Sequence, residues 1–228
     1  MQHKRAINDK EKLERRGVIL AAAMQLFMAS SFAAVNMQAV ADKAGIAKGT
    51  TYLYFKTKEE LFLALLADEL AGWLKTLRGQ LNELSDAGLP LNDAIEDYAV
   101  RVANSFAKHP GMARLIPLVH AILEQNIDPA AALSYKRRLR MRFMTAGLQI
   151  EDVLSFLKAG QGAELLLTIY SLLVGLQGMA EPAPSVVQAL QEADLGLFRI
   201  EMTPKLTSLL IQILTGMAVE SGKLYVEY

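Results

Sequence analysis

The chain has 228 residues, 52% of them apolar, with 24 basic and 24 acidic side chains and no net charge. That length suits one large or two small domains, and the apolar share permits a substantial core. The absence of cysteine excludes disulfides and thiolate metal sites, and the charged N-terminus lacks the apolar core of a signal peptide.

The neutral total hides an asymmetry. Residues 1–58 hold 10 Lys/Arg against 4 Asp/Glu, a net of +6, and residues 59–228 hold 14 against 20, a net of −6. A basic head on an acidic body suits a nucleic-acid contact at one end, because neutralised phosphates supply most non-specific affinity. Lys4, Arg5, Lys10, Lys12, Arg15 and Arg16 are mixed with Asp9, Glu11 and Glu14. This cluster reads as a solvated helix start or as an arm along phosphate or minor groove.

Residues 36–58, NMQAVADKAGIAKGTTYLYFKTK, read as two short helices around a tight turn. Asn36 is a good N-cap. Met37, Val40, Ala41 and Ala44 recur at helical spacing and give one packing face. Gly45 follows, where a helix can end with positive φ at little cost, and Ile46 is a single apolar plug. Lys48 to Tyr54 make the second helix, and Phe55 returns to the core. Thr57 and Glu60 fit a capping box that opens a third helix.

The second helix has the chemistry of a DNA contact. Lys48 can reach a base edge or a phosphate, and Thr50 and Thr51 can donate, accept or touch a thymine methyl. Gly49 removes bulk, so backbone can approach a duplex closely. Tyr52 and Tyr54 carry hydroxyls suited to phosphate oxygens. Lys58 sits beside free N–H groups at a helix start, where an outside phosphate would explain a lysine. Taken singly, each residue also fits an ordinary exposed turn; jointly they fit a helix-turn-helix.

The run AGIAKGTTYLYFKTKEELF (44–62) resembles the helix-turn-helix signature of the TetR/AcrR family of bacterial transcriptional regulators, and RRGVILAAAMQLFMASSF (15–32) resembles that family's first helix. The resemblance covers about the first 65 residues. It implies a buried stripe of Ile19, Ala23, Leu26 and Phe27, and a dimeric, all-helical repressor with an N-terminal DNA-binding and a C-terminal ligand-binding domain. It also implies DNA contacts by Gln38, Lys48, Gly49, Thr50, Tyr52, Tyr54 and Lys58. The sequence departs from the pattern at Ser31, Asn36, Ala47 and Tyr54; Ala47 puts one backbone-phosphate contact in doubt.

Beyond the motif the pattern is helical throughout. Leu61, Phe62, Leu65, Leu66, Leu70, Trp73, Leu74, Leu77, Leu81 and Leu84 predict one long helix from 58 to about 84, broken by Asp86-Ala-Gly-Leu-Pro90. Further helices are expected at 91–107, at 112–125 with Pro117 bending it, and at about 129–157, opened by Asp128-Pro129. Others follow at 160–180, at 185–194, and from Thr203-Pro204 to about 219. The expected fold is all-α: a three-helix helix-turn-helix domain (1–57) followed by a larger helical bundle (58–228).

The helices at 160–180 and 206–219 are apolar on nearly all faces and must be covered all round. Either they form the protomer core, or they pair across a two-fold axis as a four-helix bundle. The resemblance favours a homodimer through these last two main helices, with Leu166, Tyr170, Leu173, Val174, Leu206, Leu210, Ile213 and Leu214 at the interface. Both apolar runs fall short of a clean membrane span, so a soluble cytoplasmic protein without a membrane partner is expected.

Ligand-wall candidates are Trp73, Tyr98, Phe106, His109, Met112, Ile116, His120, Phe143, Met144 and Tyr170, each of which also fits plain core. His109 and His120 do not read as a metal pair, because Pro110 and Pro117 interrupt the helix between them. In Lys136–Arg142 five basic residues fall in seven. That run reads as a solvated face or as an anion-binding patch.

The leading reading is a ligand-responsive DNA-binding regulator, with double-stranded DNA, a small-molecule effector and a second copy as partners and no cofactor or metal. The alternative is a helical carrier or enzyme with a vestigial head. Against an enzyme, there is no phosphate-cradling glycine loop, no His-carboxylate metal spacing and no cysteine nucleophile.

Overall fold

The computed structural model describes residues 2–224, with side chains from Lys10 onward; Lys4, Arg5 and Asp9 therefore lie outside the described side chains. It is helical, with no strand among the described residues. The helices are α1 (Gln2–Ala29), α2 (Met37–Ala44), α3 (Lys48–Tyr54), α4 (Lys58–Ala87), α5 (Leu91–Ala107), α6 (Pro110–Leu115), α7 (Pro129–Val153), α8 (Gln161–Ala180), α9 (Pro184–Ala189) and α10 (Met202–Glu220). They fall into two compact units. One comprises the residues through Asp68 together with Leu118–Tyr135; the other comprises Glu69–Pro117 and the residues from Lys136 onward.

In the first unit, α1 packs on α2 and α2 on α3. Ile19, Ala23 and Phe27 are buried as the resemblance implied, along with Val40, Ala41, Leu61 and Phe62, whereas Leu26 is half-buried. Phe62 is central: Phe27 and Phe32 meet it edge-on, with centroids at 5.2 and 4.8 Å, a geometry that places the positive ring edge on the negative face.

Lys58 closes this unit. Its Nζ donates to the carbonyls of Phe32 (2.8 Å) and Val35 (3.0 Å) and sits 3.9 Å from the Phe32 ring centroid. These carbonyls belong to the turn between α1 and α2. The expectation that an outside phosphate accounts for Lys58 is thus corrected: its partners are internal, and the cation joins α4 to the turn ahead of the motif. The capping box also forms with a shift. The Glu60 N–H donates to Thr57 Oγ1 (3.1 Å), while Glu60 Oε2 accepts from the Lys56 N–H (3.0 Å), one residue before the cap.

In the second unit, α5 lies against α10, and α10 against α8. Ile95, Tyr98, Ala99 and Val102 from α5 are buried, as are Leu206, Leu210 and Leu214 from α10. Inside α4 and α5, Trp73 Nε1 donates to Ser105 Oγ (2.8 Å), which donates to the Val102 carbonyl (2.8 Å). The indole is fully buried yet satisfied.

Three boundaries differ from expectation. Pro117 divides its segment instead of bending it: α6 stops at Leu115, and a π turn (Val119–Leu123) and a 3-10 turn (Glu124–Asn126) follow. Proline has no N–H for the preceding turn. The helix expected to reach 157 ends at Val153, and the segment expected as one helix at 185–194 is α9 plus a 3-10 turn, Ala193–Phe198. Helices α8 and α10 are also long and apolar enough, by length and composition, to cross a membrane, which corrects the expected shortfall; within the protomer one face of each is packed.

Helix α8 starts without a side-chain cap of its own, at Gly160 with φ of 92°. Its cap comes from α7: Glu151 Oε1 accepts from the N–H groups of Gly160 (2.9 Å) and Gly162 (2.8 Å), placing negative charge at the helix start. The two helices touch backbone to backbone at Gly147 and Gly162, where an added Cβ would overlap the opposite main chain.

Three outcomes follow for stability. Gly147→Ala should cost about 1–3 kcal/mol by overpacking, while Gly79→Ala, on open α4 surface, should gain about 0.5–1 kcal/mol. Paired urea melts check the two glycine variants. Lys58→Met keeps the apolar stem but removes two charge-assisted bonds, so a loss of about 2 kcal/mol is expected, with a lower melting temperature that Lys58→Arg partly restores.

Candidate nucleic-acid interface

The turn between α2 and α3 is built as its residues dictate. Asn36 Oδ1 accepts from the Ala39 N–H at 3.0 Å and caps α2. At the other end Gly45 takes φ of 67°. Its N–H donates to the Asp42 carbonyl (3.2 Å), and the Ile46 N–H donates to the Ala41 carbonyl (3.0 Å). This is the Schellman pattern, which a left-handed glycine allows. It reverses the chain within three residues, so α3 starts at a fixed angle to α2.

Helix α3 turns one stripe inward. Thr51 is fully buried and donates from Oγ1 to the Lys48 carbonyl at 2.8 Å; Phe55, four residues on, is 5% exposed. The expectation of a DNA contact for Thr51 is corrected here: its hydroxyl is spent inside the helix. The opposite stripe faces out. Lys48, Gly49, Tyr52 and Leu53 are exposed, and Thr50 and Tyr54 are half-buried. Leu53 is 81% exposed. Leu53 is not among the expected contact residues; its place two residues from both Thr51 and Phe55 puts it on the outer side.

Around this stripe the positive groups are partly engaged. Gln38 is exposed on α2 and donates from Nε2 to Asp42 (2.7 Å). Arg16 pairs with Asp68 at 3.5 Å and lies over the Phe55 ring, so it braces the unit. The backbone of the N-terminal cluster is helical from Gln2, with Lys10, Lys12 and Arg15 exposed. Lys56, just after α3, donates to Asp128 Oδ2 at 3.0 Å. Asp128 also caps α7 by accepting from the Ala131 N–H (2.8 Å). The backbone bond from Ala131, with the Lys56 ammonium behind it, holds the Asp128 carboxyl below the usual range, and the Asp128 carboxylate holds Lys56 above its own.

The ligand-wall candidates fall in several places. Trp73, Tyr98, Phe106, Met112, Ile116, Phe143 and Tyr170 are buried in the second unit, with Phe143 and Tyr170 ring to ring at 6.0 Å. His109 is half-buried, with Nε2 3.4 Å from Thr76 Oγ1. Met144 is exposed. His120 belongs to the first unit and is exposed beside Glu124 at 3.2 Å. Six of the eight expected interface residues, Leu166, Tyr170, Leu173, Leu206, Leu210 and Leu214, are buried within one chain, and Val174 and Ile213 are half-buried. The six buried residues are corrected to the inner face of their helices; Val174 and Ile213 are only partly covered. The open faces carry Leu167, Ser171, Gly175 and Met179 on α8, and Ser208, Gln212, Gly216 and Val219 on α10.

Comparison with known proteins agrees with this architecture. Residues 19–65 match the family model described as bacterial regulatory proteins, tetR family, and residues 67–221 match the tetracyclin repressor-like C-terminal domain. A relative, the HTH-type transcriptional activator FasR of Mycolicibacterium smegmatis, is 34% identical over 37% of this chain and 39% of its own. The HTH-type transcriptional repressor KstR of Mycobacterium tuberculosis is 38% identical over 28% of this chain and 30% of its own. The chain thus spans well under half the length of these curated relatives. A TetR-family transcriptional regulator from Syntrophomonas wolfei has a similar fold (TM-score 0.55, 16% identity, 95% of this chain and 100% of that one). So does a TetR transcriptional regulator from Rhodococcus (TM-score 0.53, 20% identity, 92% and 98%). With both halves matched, the chain belongs to the TetR family of bacterial helix-turn-helix transcriptional regulators.

Proposed function

We propose that this regulator is a cytoplasmic repressor that binds a pseudo-palindromic operator as a homodimer and is released by a small apolar or amphiphilic effector. The observation that carries the reading is the outward stripe of α3. A lysine, a glycine with open space around it and a tyrosine stand exposed on a helix whose other side is locked down by Thr51. Such a helix can enter the major groove while α2 crosses the backbone. Lys48 supplies the cation, Tyr52 and Tyr54 the phosphate hydroxyls, Gly49 the close approach, and Leu53 an apolar contact for a thymine methyl. Gln38 and Thr50 complete the surface. The curated relatives include an activator as well as repressors, so repression is part of the proposal.

The second copy is assigned to the open faces of α8 and α10. Their inner leucines are used within the protomer, and the outer strips set Ser171, Gly175, Ser208 and Gly216, which let helices approach closely, among the exposed apolar Leu167, Met179 and Val219. Between them, residues 181–201 bury none of their side chains and leave Val186, Val187, Leu197 and Phe198 exposed. Covering this apolar surface is a further reason for a partner. The effector acts by binding one conformer of the dimer better than another, since differential affinity alone shifts such an equilibrium.

Gel shifts against the DNA upstream of the chain's own gene, at several salt concentrations, test the reading. Lys48→Ala should weaken the complex about tenfold, or 1.4 kcal/mol, and flatten its salt dependence; Tyr52→Phe should weaken it severalfold. Unchanged affinity for both folded variants contradicts the assignment of α3. Gly175→Glu, at a position with open space around it, should give folded monomers by analytical ultracentrifugation and lose operator binding; a dimer of unchanged strength contradicts the interface.

A further inference from the structure

The basic run Lys136–Arg142 lies on α7, in a part of the chain that is otherwise net acidic, and it is remote in sequence from the DNA-reading helix. The fold uses its last member in a particular way. Arg142 lines a cavity of about 270 Å³ together with Lys75 and Arg78, which stand one turn apart on α4. The apolar part of the lining comes from Ala71, Leu74 and Ala146, with the exposed Met141 at its side. No acidic residue is among the described residues that line it. Gln149, its amide oxygen turned toward α4, accepts from Arg78 Nε at 2.9 Å and Nη2 at 3.1 Å. This fixes the guanidinium plane and leaves three of its five N–H donors for another acceptor.

Three cations from two helices, beside low-dielectric walls and with no carboxylate among the described lining residues, focus a positive potential into the cavity. A simple inorganic anion would meet the charges and leave the apolar lining wet. A neutral hydrocarbon would cover the lining and strip water from the cations without return. We propose that this groove binds a small amphiphile with one anionic head and a short alkyl tail. The head pairs with Arg78, Arg142 and Lys75 through charge-assisted hydrogen bonds, and the tail lies along Leu74 and Ala146. The volume is near the low end for ligand pockets, which suits a short chain over a large ring system. Resting on the regulator reading above, this amphiphile is also the effector that releases DNA.

Calorimetry on the full chain tests the groove, with decanoate and octyl phosphate as the two head-group arms, both below their micelle concentrations. Decanol, inorganic phosphate and phosphatidylglycerol vesicles are the comparisons. Either single-chain anion should bind, and Arg78→Gln/Arg142→Gln should weaken it at least tenfold. Arg137→Gln/Arg140→Gln, which removes the same charge from exposed positions on α7, should leave it unchanged. Circular dichroism establishes that both double variants are folded. Preference for one arm identifies the head group. Equal loss in the two double variants, equal binding of decanol, binding to vesicles alone, or no binding of either anion overturns the proposal. A gel shift run in parallel separates it from the regulator reading. Operator binding without anion binding removes the groove and keeps the regulator; anion binding that fails to release a formed operator complex removes the effector role and keeps the groove.

Discussion

A helix of seven residues has no stability of its own in water, because its nucleation cost exceeds what so few hydrogen bonds return. Helix α3 exists because its ends and one stripe are held from outside. Gly45 takes the left-handed turn that hands the chain over from α2, Thr51 and Phe55 are drawn into the unit, and α4 begins at once behind its capping box. The frame that does the holding is tied by Lys58, whose ammonium joins the start of α4 to the turn between α1 and α2. Since packing and capping fix α3 from one side, nothing on its other side is needed for folding. That surplus lets Lys48, Gly49, Tyr52 and Leu53 be set by a partner instead of by the core.

The same partition recurs in α8 and α10, and there the sequence was ambiguous. Both helices are apolar nearly all round, so periodicity does not say which face meets the protomer and which meets something else. The structure resolves it by size. Bulky leucines such as Leu173 and Leu210 are inside, and glycine, serine and threonine are largely outside. Leucine returns most free energy where it is fully buried, while small residues leave room for close approach from outside.

What was legible in the sequence was local. Asn36, Gly45 and the Thr57–Glu60 pair announce helix ends by short-range chemistry; the first two take the conformation expected, and the pair caps α4 with Glu60 reaching one residue further back. The break after Ala87 was legible in the same way, since Gly88 takes φ of 58°. What escaped depends on groups far apart in the chain. The Lys58 ammonium spans 26 residues to Phe32, and the α8 cap is supplied by Glu151 from the preceding helix. The Gly147–Gly162 contact requires two glycines on different helices to meet. Thr51 was misplaced because the hydroxyls of adjacent threonines look alike until the helix phase is fixed by Phe55. Leu53 was missed by the same gap.

The most direct measurement exploits the absence of cysteine. A single Leu53→Cys substitution, labelled with a short photo-cross-linker, should join the protein to operator duplex. The same label at Asn104→Cys on exposed α5 surface should not. Cross-linking at residue 53 that is outcompeted by unlabelled operator is the predicted result. A folded, labelled protein that forms the operator complex without joining DNA from position 53, or that joins it equally from position 104, would contradict the claim that the outer stripe of α3 faces the double helix.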